Sequence, residues 1–399
     1  MFRVKLKTNG ILKISAISLL VPLLFSNLAF AATTINEYSI PTSISHPRTI
    51  ISGPGGNLWF TEQAGNKIGE ITSSGTITEY TIPTSNSQPL GITTGPDGNL
   101  WFTEFNGNKV GKMTTSGSFT EYTIPTSNSG PFGITSGPDG NLWFTESSTS
   151  GEKIAKITTS GTITEYSLSG TPQPSSIVSG PDGNLWFTEA DTSADKIGKI
   201  TTSGTVTEYP VPGGLTNPTY LTAGPDGNIW FTCFSSGQIG KITTSGTFTM
   251  YTVPTSSPGL NGITSGPDGN LWFTEFGGNK VGSISTTGTI NEYLVPTSNS
   301  GPSGITTGPD GNLWFTEIFG NNIGQINITG STTSGGSSSA SASSNAKTNS
   351  TVTSPDTGFG APTNSNKPVL LIISTLSIAF LVSGYYLLRY RTQNKGSIK

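Results

Sequence analysis

A ten-residue segment, Gly-Pro-Asp-Gly-Asn-Leu-Trp-Phe-Thr-Glu, recurs in close copies along this chain and constrains its fold more than any other feature. The copies contain all seven tryptophans of the sequence: Trp59, Trp101, Trp143, Trp186, Trp230, Trp272 and Trp314. Their spacings are 42, 42, 43, 44, 42 and 42 residues. A period of about 40–50 residues with one aromatic signature per unit is typical of β-propeller blades. The sequence therefore predicts an all-β, seven-bladed β-propeller.

Each repeat predicts four short strands, which in the second unit cover residues 91–95, 100–104, 109–113 and 119–124. The Asp-Gly and Asn residues between the first two strands tolerate positive φ, as a tight hairpin requires. Alternation along the second strand places Leu100, Phe102 and Glu104 on one face and Trp101 and Thr103 on the other. Both faces are largely apolar, which is expected for a blade packed between two neighbours.

The two ends of the repeat array are incomplete in complementary ways. Residues 35–40 have a fourth-strand sequence with no blade before them, and residues 323–326 form a third strand with no fourth strand after it. We expect the N-terminal segment to complete the last blade. This pairing would close the ring and remove an exposed sheet edge.

Two terminal segments predict export. Residues 1–31 combine basic residues, an apolar run and an Ala29-Phe-Ala31 site, which is typical of a secretory signal peptide. A short uncleaved membrane anchor is the alternative. The propeller is assigned to 32–330 and a Ser/Thr-rich flexible linker to 331–368. The uncharged apolar segment 369–388 is long enough to span a bilayer, and the basic tail 389–399 should remain cytoplasmic.

The order of these C-terminal segments resembles the sorting signal of Gram-positive surface proteins. Pro355, Asp356, Thr357 and Gly358 match the last four positions of the Leu-Pro-x-Thr-Gly motif that sortase cleaves, while Ser354 replaces the leucine. A plain single-span membrane protein is the alternative. Either arrangement implies a cell-surface protein with its propeller outside.

Charge and cysteine content narrow the possible partners. The net charge is −3, and the repeats contain no basic run, so nucleic acid is not an expected partner. Cys233 is the only cysteine and cannot form an intramolecular disulfide. We interpret it as an apolar filler, the alternative being a nucleophile with a neighbouring base. The propeller is expected to be a monomer that binds an extracellular glycan, peptide or protein.

Six glutamates end the second strands on one rim of the disc, and Cys233 takes the seventh place. They are Glu62, Glu104, Glu146, Glu189, Glu275 and Glu317. A ring of carboxylates could hold a divalent cation. However, a lysine lies across the following hairpin in five of these blades, and Gln238 faces Cys233. Cross-strand ion pairs are therefore the favoured interpretation. Glu317 faces Asn322 instead, so Glu275, Glu292 and Glu317 are the candidate metal ligands.

Two other residue types are weaker candidates. The aspartates of the Pro-Asp-Gly-Asn segments lack the further acidic positions of a calcium loop, so we interpret them as turn formers; they are Asp97, Asp139, Asp182, Asp226, Asp268 and Asp310. His46 is the only histidine and precedes Pro47 in the first crossover. It is either a solvated side chain or the only residue around which a histidine-dependent site could be built.

The repeated Gly-Pro-Asp-Gly-Asn-Leu-Trp-Phe-Thr-Glu, the following Asn-Lys-Ile/Val-Gly-Lys-Ile and the Tyr-x-Ile-Pro-Thr segments resemble the virginiamycin B lyase family over about residues 34–330. This resemblance implies a seven-bladed propeller that opens streptogramin B depsipeptides. It also implies a divalent metal, usually Mg²⁺, held by glutamates, and histidines acting on the substrate. This sequence has no histidine in any second or third strand, and His46 aligns with Gln88 of the next unit.

Two functions from different classes follow. The first is a surface-displayed binding or scaffold propeller without the family's catalytic histidines, which is the favoured hypothesis. The alternative is a metal-dependent lyase that opens streptogramin-type cyclic depsipeptides or related esters, with a glutamate as base. A carboxylate is a weak base at neutral pH unless burial raises its pKa.

Overall fold

The computed structural model describes residues 34–328, apart from 149–150, 171, 191–194 and 215. These residues form seven separate four-stranded antiparallel sheets. The predicted seven-bladed propeller with four-stranded blades is therefore confirmed. The predicted signal peptide (1–31), linker (331–368), sorting motif, membrane segment (369–388) and tail (389–399) lie outside the described residues.

Each blade is numbered by its place in the chain, and in blades 1 to 6 the strands run outward from the axis in sequence order. Blade 1 comprises β2 (Pro47–Ser52), β3 (Leu58–Glu62), β4 (Lys67–Ile71) and β5 (Ile77–Thr81). Blade 2 comprises β6 (Pro89–Thr94), β7 (Leu100–Glu104), β8 (Lys109–Met113) and β9 (Phe119–Thr123). Blade 3 comprises β10 (Pro131–Ser136), β11 (Leu142–Glu146), β12 (Lys153–Ile157) and β13 (Ile163–Ser167). A 3₁₀ turn, Pro54–Gly56, joins β2 to β3.

The remaining blades repeat this arrangement. Blades 4 to 7 comprise β14 (Pro174–Ser179), β15 (Leu185–Glu189), β16 (Lys196–Ile200) and β17 (Val206–Pro210); β18 (Pro218–Ala223), β19 (Ile229–Cys233), β20 (Gln238–Ile242) and β21 (Phe248–Thr252); β22 (Leu260–Ser265), β23 (Leu271–Glu275), β24 (Lys280–Ile284) and β25 (Ile290–Leu294); and β26 (Pro302–Thr307), β27 (Leu313–Glu317) and β28 (Asn322–Ile326), completed by β1 (Ile35–Ser39).

The hydrophobic core is divided among the interfaces between blades. The buried Trp101 of blade 2 packs with Leu142 and Phe144 of blade 3, and equivalent clusters occupy the other interfaces. The predicted alternation in the second strand is thus confirmed, because Leu and Phe face one neighbouring blade while Trp faces the other. Burial of these large side chains supplies the main driving force for assembling the ring.

Close packing within a blade leaves little space in the third strand, where six blades have glycine opposite the phenylalanine and blade 3 has Ala155. Gly111 lies opposite Phe102 in the β7–β8 register, and a Cβ atom at Gly111 would lie 2.2 Å from the ring. The aromatic ring therefore lies over bare backbone.

The N-terminal strand completes blade 7, as predicted. The strand β1 pairs with β28 in an antiparallel register from Ile35↔Ile326 to Ser39↔Asn322. Tyr38 stacks on Trp314 with ring centroids 5.5 Å apart, and its hydroxyl donates a hydrogen bond to Gln325 Oε1 at 3.1 Å. Both ends of the repeat array therefore meet within one sheet.

The first strands of neighbouring blades contact one another around the axis. They line a cavity of about 230 Å³ to which all seven blades contribute. Most positions that face it are small or β-branched residues, but blade 5 places Tyr220 there. Within the part of the chain that the structure describes, no helix is long and apolar enough to cross a membrane.

The closure of blade 7 is tested by comparing Tyr38→Ala with Tyr122→Ala. Tyr122 occupies the same place in blade 2 and stacks on Trp101 at 5.6 Å. Because both rings are half-buried, we expect each substitution to lower the free energy of unfolding by about 2 kcal/mol. Urea denaturation monitored by tryptophan fluorescence measures both. If only Tyr122→Ala destabilises the protein, β1 does not complete blade 7.

Candidate functional site

The crossover rim is the side of the disc formed by the hairpins after the second strands and by the connections between blades. Backbone hydrogen bonds join these two kinds of loop. In blade 1, for example, Gln63 N donates to His46 O at 3.2 Å and Ala64 N donates to Ser45 O at 2.9 Å. The predicted rim glutamates lie at the bases of these hairpins, as the final residues of the second strands.

These glutamates are fully buried rather than presented to a ligand. Glu62, Glu104, Glu146, Glu189, Glu275 and Glu317 all have 0% exposure. Both carboxyl oxygens of Glu62, Glu104, Glu146 and Glu275 lack a hydrogen-bond partner among the described residues. Glu317 Oε2 accepts a hydrogen bond from Asn322 Nδ2 at 3.3 Å. Glu189 Oε2 lies 4.0 Å from Lys196 Nζ.

The predicted ion pairs between these glutamates and the lysines across the hairpin are wrong in four blades, and in blade 4 the predicted pair Lys196–Glu189 is long, at 4.0 Å. The register is as expected, with Glu104 opposite Lys109. However, Lys109 Nζ donates to Glu121 Oε2 of the fourth strand at 2.8 Å. The same choice recurs in the pairs Lys67–Glu79, Lys153–Glu165, Lys196–Glu208 and Lys280–Glu292.

The lysine pairs with the fourth-strand carboxylate because that carboxylate also accepts hydrogen bonds from the connection that leads into the blade. Glu121 accepts hydrogen bonds from the backbone N and the side-chain hydroxyl of Thr84, at 3.0 and 2.9 Å. Lys109 Nζ in turn donates to the Thr84 hydroxyl. The Lys–Glu–Thr cluster therefore fastens one blade to the connection that enters it, which is a structural role. The Glu-Tyr pair in six of the seven fourth strands was the sequence signal for this cluster.

Burial changes the ionisation of the second-strand glutamates. Desolvation, followed by the charge of Glu121, raises the pKa of Glu104 to about 8. Desolvation likewise raises the pKa of Glu62, Glu146 and Glu317 to about 8 and that of Glu275 to about 7. The side chains with a pKa of about 8 are therefore largely protonated at neutral pH, and Glu275 is about half protonated.

A glycine lies against the carboxyl group in four of these six blades: Gly65 against Glu62, Gly107 against Glu104, Gly278 against Glu275 and Gly320 against Glu317. In blade 2, a Cβ atom at Gly107 would lie 2.8 Å from Glu104 Oε2. The hairpin backbone consequently lies directly against the carboxyl group, and a ligand on the rim cannot contact it. This contact explains the glycine in the Gly-Asn-Lys segments of the repeat.

The candidate metal ligands do not form a metal site in the described part of the chain. Glu292 accepts a hydrogen bond from Lys280 Nζ at 2.7 Å, so a lysine already neutralises it. Glu275 and Glu317 are fully buried. No group of three or more His, Cys, Asp or Glu side chains that could hold a metal ion occurs among the described residues. The residues present therefore do not fit the Mg²⁺ that the family resemblance implies.

Blade 5 lacks the second-strand glutamate, the third-strand lysine and the fourth-strand glutamate that the other blades have in most cases. Cys233, Gln238 and Met250 replace the two glutamates and the lysine. Cys233 is fully buried within the apolar cluster between blades 4 and 5, and burial raises the pKa of its thiol to about 12. Cys233 is therefore an inert core residue.

The Pro-Asp-Gly-Asn aspartates are turn formers, as interpreted. Asp97 Oδ1 accepts hydrogen bonds from Asn99 N at 3.3 Å and from Trp101 Nε1 at 2.9 Å. Each such aspartate thus connects its hairpin to the tryptophan of the same blade. In blade 1, where Gly55 replaces the aspartate, Trp59 Nε1 donates to Pro54 O at 3.3 Å instead.

Four aromatic residues form an arc along one side of the crossover rim. Ring contacts link Phe234 to Phe276 at 6.4 Å, Phe276 to Phe319 at 5.4 Å, and Phe319 to His46 at 6.1 Å between centroids. Phe319 is 37% exposed. This aromatic arc, Phe234–Phe276–Phe319–His46, spans blades 5, 6, 7 and 1. Burial, followed by the charge of Arg48, lowers the pKa of His46, so its imidazole is neutral at pH 7.

The fold and the repeat signatures can now be compared with known proteins. The family model described as "Virginiamycin B lyase family" matches residues 29–172 and 127–336. The chain belongs to the virginiamycin B lyase family. A streptogramin B lyase structure is 40% identical, with 74% of this chain and 97% of that chain covered and a TM-score of 0.70.

Two structures from Staphylococcus aureus are similar to the same extent. Virginiamycin B lyase from that organism is 37% identical, with 74% of this chain and 99% of that chain covered and a TM-score of 0.70. A catalytically inactive histidine-to-alanine variant of it, described with quinupristin, gives the same values. The family member described here has a single histidine, His46.

The buried glutamates predict a pH-dependent stability. The pKa of Glu104 is about 8 in the folded protein, against an ordinary value of 4.5. Between these pH values only the folded state keeps the proton, so rising pH favours the unfolded state. Glu104→Gln removes this effect. On going from pH 5 to pH 8, we expect the variant to gain about 3 kcal/mol of stability relative to the wild type. Urea denaturation at both pH values measures this difference.

Glu121→Gln, introduced into the Glu104→Gln protein, is the matched control, because in the wild type the charge of Glu121 helps to raise the pKa of Glu104. Although desolvation opposes it, hydrogen bonds from Lys109 and Thr84 lower the pKa of Glu121. The contribution of Glu121 is therefore already complete above pH 4.5 and is lost only at lower pH. This double variant should be destabilised relative to Glu104→Gln about equally at pH 5 and pH 8. An unchanged pH dependence in Glu104→Gln would show that Glu104 is ionised in the folded protein.

Proposed function

We propose that this chain is an extracellular binding propeller of the virginiamycin B lyase family, which holds an apolar, peptide-like ligand on its crossover rim without opening it. Cyclic depsipeptides of the streptogramin B class are the first ligands to test. The proposal is supported chiefly by the single histidine of the sequence. The related Staphylococcus aureus enzyme is described as catalytically inactive, with quinupristin, once a histidine is replaced by alanine.

The aromatic arc supports ligand binding on this rim. Phe319 and the partly exposed Phe234 offer apolar surface on this rim. Aromatic side chains present a large, rigid contact area, and they are enriched where proteins bind partners. An apolar peptide macrocycle suits this surface better than a highly charged ligand does.

The glutamates support binding rather than lyase chemistry. A pKa near 8 would suit a general base at neutral pH. However, the second-strand carboxyl groups have no exposure, and glycines such as Gly107 cover four of them. A base must come within hydrogen-bond distance of the proton that it removes. The lyase alternative would therefore depend on the neutral imidazole of His46.

The location of the propeller is part of the same proposal. The apolar segments at both ends of the sequence support export and anchoring of the propeller at the cell surface, with segment 369–388 in the membrane. Residues 355–358 would permit attachment to the cell wall if a sortase accepts Ser354 in place of leucine.

Incubation with quinupristin and Mg²⁺ tests the function. The purified full-length protein should bind quinupristin in isothermal titration calorimetry, whereas mass spectrometry should detect only the intact cyclic compound after prolonged incubation. Phe319→Ala should weaken binding at least about fivefold, because it removes the most exposed ring of the arc. Tyr122→Ala removes an aromatic residue from an outer strand and should leave the affinity unchanged.

Two outcomes contradict the proposal. Absence of quinupristin binding would exclude this ligand class from the rim. Accumulation of the linear product would establish a lyase, and His46→Ala would then show whether the imidazole is its base.

A further inference from the structure

The distribution of positive charge singles out one residue. Ten lysine and arginine side chains occur within residues 34–328. All nine lysines lie within 4.0 Å of a described Asp or Glu carboxylate. Arg48, the only arginine within residues 34–328, forms no ion pair with a described residue. An arginine without an acidic partner in the centre of a protein is costly unless another anion compensates for it.

Arg48 lies where a ligand on the crossover rim could reach it. It is the second residue of β2, directly after Pro47, and it is partly exposed. Its Nε donates to Gln63 Oε1 at 2.6 Å, which directs the guanidinium toward the rim hairpin. Its two terminal nitrogens make no hydrogen bond to a described residue. Desolvation nevertheless lowers the pKa of Arg48, so its charge is poorly compensated.

Tyr220 closes the channel beside this arginine. It belongs to blade 5, yet its phenol interacts with Thr49 of blade 1, Ser303 of blade 7 and the charge of Arg48. Because the first strands surround the axis, its side chain must cross the channel to reach those blades. Tyr220 therefore forms a floor near Arg48 at a level where four other blades have glycine: Gly91, Gly133, Gly262 and Gly304.

A second polar group in the same place, the Ser303 hydroxyl, interacts with the Tyr220 phenol but without good hydrogen-bond geometry. The Ser303 hydroxyl is fully buried and makes no hydrogen bond of normal geometry to a described residue. Ser303 occupies in β26 the position that Arg48 occupies in β2, on the adjacent blade. A buried hydroxyl without a well-formed hydrogen bond is unfavourable and is usually satisfied by water or a ligand.

We infer that Arg48, Ser303 and Tyr220 form a carboxylate-binding site at the rim end of the central channel. The two terminal nitrogens of Arg48 provide the bidentate donor pair that suits a planar carboxylate. The Tyr220 hydroxyl supplies a further donor, and the buried Ser303 hydroxyl interacts with that phenol. The single positive charge of Arg48 balances a single carboxylate. The aromatic arc extends to Arg48 through His46, which contacts Phe319 and whose pKa is lowered in part by the charge of Arg48.

The arrangement selects a peptide with a free C-terminal carboxylate and an apolar or aromatic last side chain. The carboxylate would pair with Arg48 while the side chain packs against the aromatic arc. This inference rests on the proposed binding function and specifies the chemistry of its ligand. It predicts that a linear peptide acid binds better than a neutral peptide of the same sequence.

A matched pair of ligands tests the site. The probes are N-acetyl-phenylalanyl-phenylalanine and its C-terminal amide, titrated calorimetrically into the full-length protein at pH 7. We expect the acid to bind at least about tenfold more tightly than the amide. Arg48→Gln should abolish this preference, and Arg48→Lys should retain part of it because a charge remains without the bidentate fork. Lys109→Gln is the control, since Lys109 is already paired with Glu121, and the preference should persist.

Several results would overturn the inference. These are equal affinities of the wild type for acid and amide, no binding of the acid at millimolar concentration, or a full preference retained in Arg48→Gln. The wild-type comparison does not depend on whether a variant folds. Quinupristin binding without any preference for the acid would leave the proposed function intact and exclude the carboxylate site alone.

Discussion

The packing of one tryptophan per blade against the next blade is the interaction on which the rest of the structure depends. Trp101 contributes to the cluster that holds Leu142 and Phe144 of blade 3. Its own blade holds it through Asp97 at the hairpin, Tyr122 on the outer strand and Lys112 above the ring. Because each sheet presents Trp to one neighbour and Leu and Phe to the other, no blade can bury its apolar surface alone. A closed ring is the arrangement that satisfies every blade.

The fold was predictable from the sequence because its signal is repeated. Seven copies of the same aromatic segment determined the number of blades, and the unmatched ends at 35–40 and 323–326 predicted how the ring closes. The register Glu104↔Lys109 was also predictable from the sequence, since the length of the hairpin determines it. These features depend on local spacing, which a single sequence shows directly.

The partners of the charged and polar side chains on the rim were harder to predict from the sequence, for specific physical reasons. Lys109 has two carboxylates within reach, and Thr84, which is distant in sequence, decides between them by adding hydrogen bonds to Glu121. No spacing rule within one repeat shows this. Arg48 was overlooked because its importance lies in a missing partner, which appears only after every lysine has been placed. Tyr220 was detectable in principle, since most other first strands have a small residue at the equivalent position. Its interaction with blades 1 and 7 across the axis depends on the three-dimensional arrangement of the blades.

The pairing of β1 with β28 has a mechanical consequence. The chain leaves the propeller from β28, which is hydrogen-bonded to β27 on one side and to β1 on the other. Tension applied beyond Ile328 is therefore borne by two ladders at once, and it cannot peel a strand from an open edge. A propeller held by its C-terminal end would transmit load into a strand that is paired on both sides. Unfolding of blade 7 from its C-terminal end would therefore require both strand pairings of β28 to break together.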